Sequence, residues 1–214
     1  HRVDRRQRQM CIRDSKGGKV TLVTDPFSAE TGLKVPNVQA DIVTISHDHF
    51  DHNNATAISG EPFIVKSPGE YEVKEVFING IPSFHDESEG RERGENTIYV
   101  IEINGFRICH LGDLGHKLTD VQLAMIENID VLLIPVGGKF TLDAKKAAEV
   151  VEQVEPRIVI PMHYHVKGLK VEGLTGIEEF AKEMGVKEIK SQSTLKLKRD
   201  QLPQDKTEVV FLNK

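Results

Sequence analysis

Within six residues the chain sets out His47, Asp48, His49, Phe50, Asp51 and His52, directly after the apolar run Ile42-Val43-Thr44-Ile45. Side chains two positions apart project to the same side of an extended segment, so His47 and His49 can converge on one cation. A tight turn after them would swing Asp51 and His52 toward a second. Imidazole and carboxylate together suit Zn²⁺, and also Mn²⁺ or Fe. Titratable groups packed this densely at a strand end are costly to bury without compensation, so the cluster reads as metal-ligating. Asp48 points away from the two histidines in an extended segment and is expected to serve as a supporting carboxylate.

One turn cannot close the coordination shells of two ions, and later strand ends supply further candidates. His85 follows the strand-like Val76–Phe84, Asp113 lies in His110-Leu111-Gly112-Asp113, and His163 lies in Ile160-Pro161-Met162-His163-Tyr164. Strands fix such groups while loops admit substrate.

The elements that must position these residues are legible from periodicity and punctuation. Strands are expected at Lys19–Asp25, Asp41–Ser46, Pro62–Lys66, Thr97–Ile103, Phe106–Leu111, Asp130–Pro135 and Arg157–Pro161. Asn79-Gly80 and Asn104-Gly105 are hairpin signals, the first interrupting strand material over Tyr71–Phe84. Asn53–Ser59 is expected to form a short helix capped by Asn53, Leu118–Asn128 a helix capped by Thr119, and Asp143–Val154 and Thr175–Met184 two more, the last stopping at Gly185. Short strands are expected at Lys187–Ile189, Thr194–Leu197 and Glu208–Leu212. β-Rich hairpins followed by strand–helix alternation fit two sheets covered by helices.

The 214 residues suit one domain, read as 19–214, with 38% hydrophobic and 29% charged residues as in a folded globular chain. The first 18 residues stand apart. They carry six Lys/Arg and two Asp, show no strand or helix periodicity, and read as a disordered or artefactual start rather than a phosphate-gripping arm. The net charge is −5 overall and −9 over residues 19–214, which offers no broad footprint for nucleic acid. Two cysteines without CxxC spacing make a disulfide framework unexpected and a reducing cytoplasm the default. The longest apolar runs, such as Val131–Val136, are strand-sized, and no apolar stretch follows the basic start as in a secretory signal, so no membrane association is expected.

The HxHxDH motif followed by separated His, Asp and His resembles the metallo-β-lactamase superfamily. Gly112-Asp113, Pro135-Val136-Gly137-Gly138 and Pro161-Met162-His163-Tyr164 are similar to its ascorbate-6-phosphate lactonase-like branch over residues 19–214. The resemblance implies an α+β fold, a four-layer αββα sandwich, with N-terminal strands missing or replaced by residues 1–18. It also implies two divalent ions, Zn²⁺ foremost with Mn²⁺ or Fe as alternatives. His47, His49 and His85 would hold the first, Asp51, His52 and His163 the second, and Asp113 would bridge them.

Two ions sharing a water would generate hydroxide near neutral pH for attack on an ester, lactone or phosphodiester. Asp51 could orient that nucleophile. His116, in Gly112-Asp113-Leu114-Gly115-His116, is a candidate proton donor. Arg93, Asn96 and His165 are candidate contacts for a small anionic substrate, since an arginine fork favours carboxylate and phosphate. His110, on an apolar strand, is expected to be a packing histidine. Gly137 and Gly138 could permit close backbone approach beside the site. The alternatives are a metal-dependent nuclease or phosphodiesterase and a metal-binding module without activity.

Overall fold

The computed structural model describes residues 2–6, 9–13, 20–35 and 37–213. The first sheet contains β1 (Arg2–Arg6), β2 (Gln9–Arg13), β3 (Thr21–Thr24), β4 (Ile42–Thr44) and β5 (Phe63–Val65). The second contains β6 (Gly69–Val73), β7 (Val76–Phe84), β8 (Glu95–Ile103), β9 (Phe106–His110), β10 (Val131–Pro135) and β11 (Ile158–Met162). Near the C-terminus come β12 (Ser191–Gln192), β13 (Thr194–Lys196), β14 (Glu208–Val209) and β15 (Phe211–Leu212). The helices are α1 (Asp120–Met125), α2 (Ala144–Val154) and α3 (Ile177–Glu183). Sheet orders are β13-β1-β2-β3-β4-β5 and β14-β11-β10-β9-β8-β7-β6, with β12 and β15 paired separately.

Alternation along the central strands builds two cores. Val131 and Leu133 of β10 point at the first sheet, joining Leu22, Ile42 and Ile101. Leu132 and Ile134 point the other way, toward Ala147, Val150 and Phe180 of α2 and α3. The strand is therefore apolar throughout, as expected for one covered on both faces. The outer face of the first sheet buries Val23, Val43 and Ile45 under Ala40 and Ile58, from loop and 3₁₀ segments. The result is the sandwich the motif implied, with the helices gathered mainly on the second sheet.

The strands expected to be missing or replaced are supplied by β1 and β2, antiparallel to each other and to β3 and β13. They pair with each other and with β3 nearby in sequence, and β1 also pairs with the distant β13; sheet context rather than internal periodicity makes them strands. The rest of the 1–18 segment lies outside the described residues.

Three local expectations are corrected. Asn79-Gly80 does not turn: β7 runs through it, with Gly69 opposite Gly80, and the reversal falls at Lys74 and Glu75, both at positive φ. A Cβ at Gly80 would lie 3.0 Å from the Ser67 carbonyl, so close packing explains that glycine. The helix expected at Asn53–Ser59 is a single 3₁₀ turn, Ala55–Ala57, preceded by Asn54 without a side-chain cap. No strand forms at 187–189. Asn104-Gly105 does form its hairpin, and Thr119 and Gln122 close a capping box on α1.

Strands β3 and β4 run parallel, as do β9, β10 and β11, while β7 and β9 are both antiparallel to β8. The C-terminal ends of β3 and β4 in one sheet, and of β7, β9 and β11 in the other, carry the polar residues described next.

Candidate metal centre

Every polar residue of the site leaves the end of a strand. Asp25 follows β3, the 46–52 turn follows β4, His85 follows β7, Asp113 follows β9 and His163 follows β11. The turn is tightened where the His52 and Asn53 amides donate to the His49 carbonyl, at 2.9 and 3.1 Å. Asp48 is exposed and accepts from the Asn53 side chain. The two sheets are tied beside the turn by Tyr99 Oη donating to the Ile45 carbonyl (2.8 Å) and Thr97 N donating to that of Ser46 (2.8 Å).

The seven proposed ligands converge. Ligand-capable atoms of His47, His49 and His85 lie within 4.8 Å of one another, as do those of Asp51, His52 and His163. Asp113 joins the two groups: its Oδ2 lies 3.0 Å from His163 Nε2, 3.3 Å from His85 Nε2, 3.4 Å from His52 Nε2 and 4.0 Å from His47 Nε2. His49 is exposed; the other six are buried.

Asp25 was missed in the sequence, although it obeys the same strand-end logic before Pro26. It is fully buried and accepts from Ser46 N (2.7 Å), Ser46 Oγ (2.5 Å) and His52 Nδ1 (2.9 Å). Because the Ser46 hydroxyl donates to Asp25, its oxygen accepts from His47 Nδ1 at 2.9 Å. One carboxylate thus sets the ring orientation of two histidines and turns both Nε2 atoms inward.

Those atoms fit a metal. His47 Nε2, His52 Nε2 and Asp113 Oδ1 are buried and make no hydrogen bond with other described residues, an arrangement that costs stability unless a cation completes it. Burial, reinforced by neighbouring His52, lowers the His47 pKa to about 2, which leaves a neutral imidazole with a lone pair. Burial and adjacent His85 also lower that of His49. At His52 burial acts downward, but the Asp113 and Asp25 carboxylates outweigh it and raise the pKa to about 9. Asp113 is held well below the ordinary carboxylate range: burial opposes this, and His163 and His52 prevail. Donors that are all nitrogen and oxygen, with no thiolate, suit Zn²⁺, Mn²⁺ or Fe.

Close backbone approach keeps the ligands in place. His163 has φ 53°, in the left-handed region uncommon for residues other than glycine, and a Cβ on Gly137 would lie 2.1 Å from the His163 carbonyl oxygen. Only glycine lets the segment after β10 pass so near that residue.

The cavity over the site measures about 290 Å³ and is lined by His49, Asp51, His85, Asp113 and His163 together with Phe50, Arg93, Phe140 and Val171. Arg93 therefore stands where a substrate contact was expected. Asn96 does not. It is buried, donating to Ser83 Oγ (2.7 Å) and the Leu111 carbonyl (3.0 Å) while accepting from Asp113 N (3.0 Å), so it braces the Asp113 turn from behind. His165 is exposed and outside the cavity lining. The catalytic role expected of His116 is also corrected. Its Nδ1 donates to the Lys117 carbonyl (2.7 Å), its Nε2 accepts from Phe84 N (3.2 Å), and it does not line the cavity. Sequence adjacency to Asp113 suggested more than the turn geometry allows. His110 is wholly buried, as a packing histidine should be, with Nε2 3.9 Å from Asp25. Asp86, unremarked in the sequence, organises the 85–96 loop by accepting from the amides of Ser88, Gly90, Glu92 and Arg93.

The β-lactamase superfamily domain model matches residues 10–163 of the chain. A UPF0173 metal-dependent hydrolase from Thermococcus onnurineus is 32% identical over 177 residues, covering 69% of this chain and 79% of the relative. The chain belongs to the UPF0173 metal-dependent hydrolases of the metallo-β-lactamase superfamily. A UPF0173 protein from Thermus thermophilus is 29% identical over 174 residues, covering 69% and 77%. Among solved structures, a Thermotoga maritima protein named as a Zn-dependent hydrolase of the superfamily matches with TM-score 0.79 and 34% identity, over 99% of both chains. Membership makes this UPF0173 chain a metal-dependent hydrolase, with the metal and its number still to be assigned from the residues. No helix among the described residues is long and apolar enough to cross a membrane.

Proposed function

We propose that the chain is a dinuclear hydrolase that cleaves an ester, lactone or phosphodiester bond in a small anionic substrate. In this reading His47, His49 and His85 hold one divalent ion, Asp51, His52 and His163 hold another, and Asp113 lies between them, with Zn²⁺ the favoured metal. The observation that carries it is Asp113 Oδ2, within 4.0 Å of the Nε2 atoms of four histidines drawn from both groups.

Ions bound there would supply an activated water nucleophile near neutral pH and polarise the substrate oxygen. The chain's own residues do the rest. Asp25 and Ser46 preorganise His47 and His52, so little reorganisation accompanies binding. Asp51, whose Oδ2 lies 3.7 Å from His52 Nε2, is placed to orient the nucleophile. Arg93 supplies positive charge at the cavity wall. A small cavity and the −9 balance of residues 19–214 favour a small molecule over nucleic acid.

Metal analysis of the purified chain, coupled to a panel of lactones, simple esters and cyclic phosphodiesters, tests this. Two ions per chain and turnover of at least one class are expected, and Asp113→Ala should lose one ion and all activity. One ion in a closed tetrahedral site, or full activity in Asp113→Ala, would overturn it.

A further inference from the structure

The geometry points to a specificity subsite built from Arg93, Phe140, Phe50 and Val171, which selects a substrate with an apolar body of aryl or branched-alkyl size and one anionic group. This deepens the hydrolase reading and rests on it for the reacting end of the substrate.

Apart from the proposed ligands, the described wall of the cavity consists of those four residues. Phe50 is 48% exposed. A single exposed phenylalanine is unremarkable, but one that lines the same cavity as Phe140 and Val171 adds to the apolar surface beside a polar centre. A polyhydroxylated sugar phosphate would lose hydration there and find few partners for its hydroxyls. An aryl or branched-alkyl group would bury its surface favourably.

Arg93 gives the wall one charge. Its Cζ lies 5.0 Å from the Phe140 ring centroid, within cation–π range, and its Nη2 donates to the Lys139 carbonyl at 3.3 Å. Its backbone amide is fixed by Asp86 at 2.8 Å. No carboxylate pairs with the guanidinium among the described residues, so donors remain for a forked contact with a carboxylate. Lys139 Nζ lies 4.8 Å from the same centroid but donates to the Glu172 carbonyl at 3.1 Å. Phe140 thus sets the Arg93 guanidinium beside an apolar ring at the cavity wall, where charge and apolar surface adjoin.

Binding of phenylacetate, acetate and phenylacetamide to the metal-loaded chain, followed by ligand-observed NMR, tests the subsite without requiring turnover. Phenylacetate should bind at least tenfold tighter than either partial probe. Arg93→Gln should reduce it to the phenylacetamide level, Arg93→Lys should recover part of the loss, and Phe140→Ala should reduce it to the acetate level. Equal affinity of wild type for phenylacetate and acetate would overturn the subsite, as would an Arg93→Gln variant that binds phenylacetate normally. The wild-type comparison stands even if a variant does not fold. Selective binding without hydrolysis of any ester, lactone or phosphodiester would sink the proposed hydrolytic reaction alone; hydrolysis without selective binding would sink the subsite alone.

Discussion

Asp25 Oδ2 lies 2.9 Å from His52 Nδ1 and, through the Ser46 hydroxyl, also governs His47. His47 and His52 belong to different halves of the proposed centre, so a single buried carboxylate orients a ligand in each. Replacing it with Asn removes the charge and one of the acceptors while keeping the shape. Asp25→Asn should weaken metal retention about 10–100-fold, read by competition with a chromogenic chelator. Unchanged retention would show that the two rings are held by packing alone.

Asn96 braces the Asp113 turn by accepting from Asp113 N and donating to the Leu111 carbonyl and Ser83 Oγ rather than by meeting substrate. Asn96→Ala should leave Ser83 Oγ and Asp113 N short of partners and destabilise the fold by about 1–3 kcal/mol. Denaturant titration checks this. A loss confined to KM, with stability untouched, would return Asn96 to the substrate contacts.

Gly137→Ala would push a methyl group to within 2.1 Å of the His163 carbonyl oxygen. Backbone must move to admit it, at a cost of about 1–3 kcal/mol. A lower melting temperature together with weakened metal binding is expected, since the displaced residue is a proposed ligand. A melting temperature equal to wild type would mean that the two strands separate more easily than their geometry suggests.

The metal-free chain should be most stable near pH 6.5. His47 is neutral when folded, with a pKa of about 2 against 6.5 unfolded, so the unfolded chain binds more protons below pH 6.5 and stability is lost as pH drops below that value. His52 has the opposite sign. Its folded pKa of about 9 contributes stability that is complete below 6.5 and is lost as pH rises through 9. The lowered Asp25 and Asp113 carboxylates add to the acid-side loss. Urea midpoints measured in chelator from pH 4 to 10 should trace this maximum; a flat profile would refute the assigned protonation states.

The sequence by itself offered the seven proposed ligands as candidates, because each is a polar residue that follows an apolar strand; their division between two ions came from the resemblance to the superfamily. It also determined most central strands, the Asn104-Gly105 hairpin and the Thr119 cap of α1, all products of interactions within a few residues. What joins distant strands lay beyond it. Asp25 obeys the same strand-end pattern, yet its importance comes from meeting Ser46 and His52, more than twenty residues away. Asn96 and His116 carry functional chemistry in their side chains, but hydrogen bonds across the fold commit them to backbone support. Asn79-Gly80 has turn chemistry, yet β6 and β8 hold it straight from either side. Residue type and spacing decide which groups can reach a strand end; only the packing of two sheets decides which way each side chain then faces and what satisfies it.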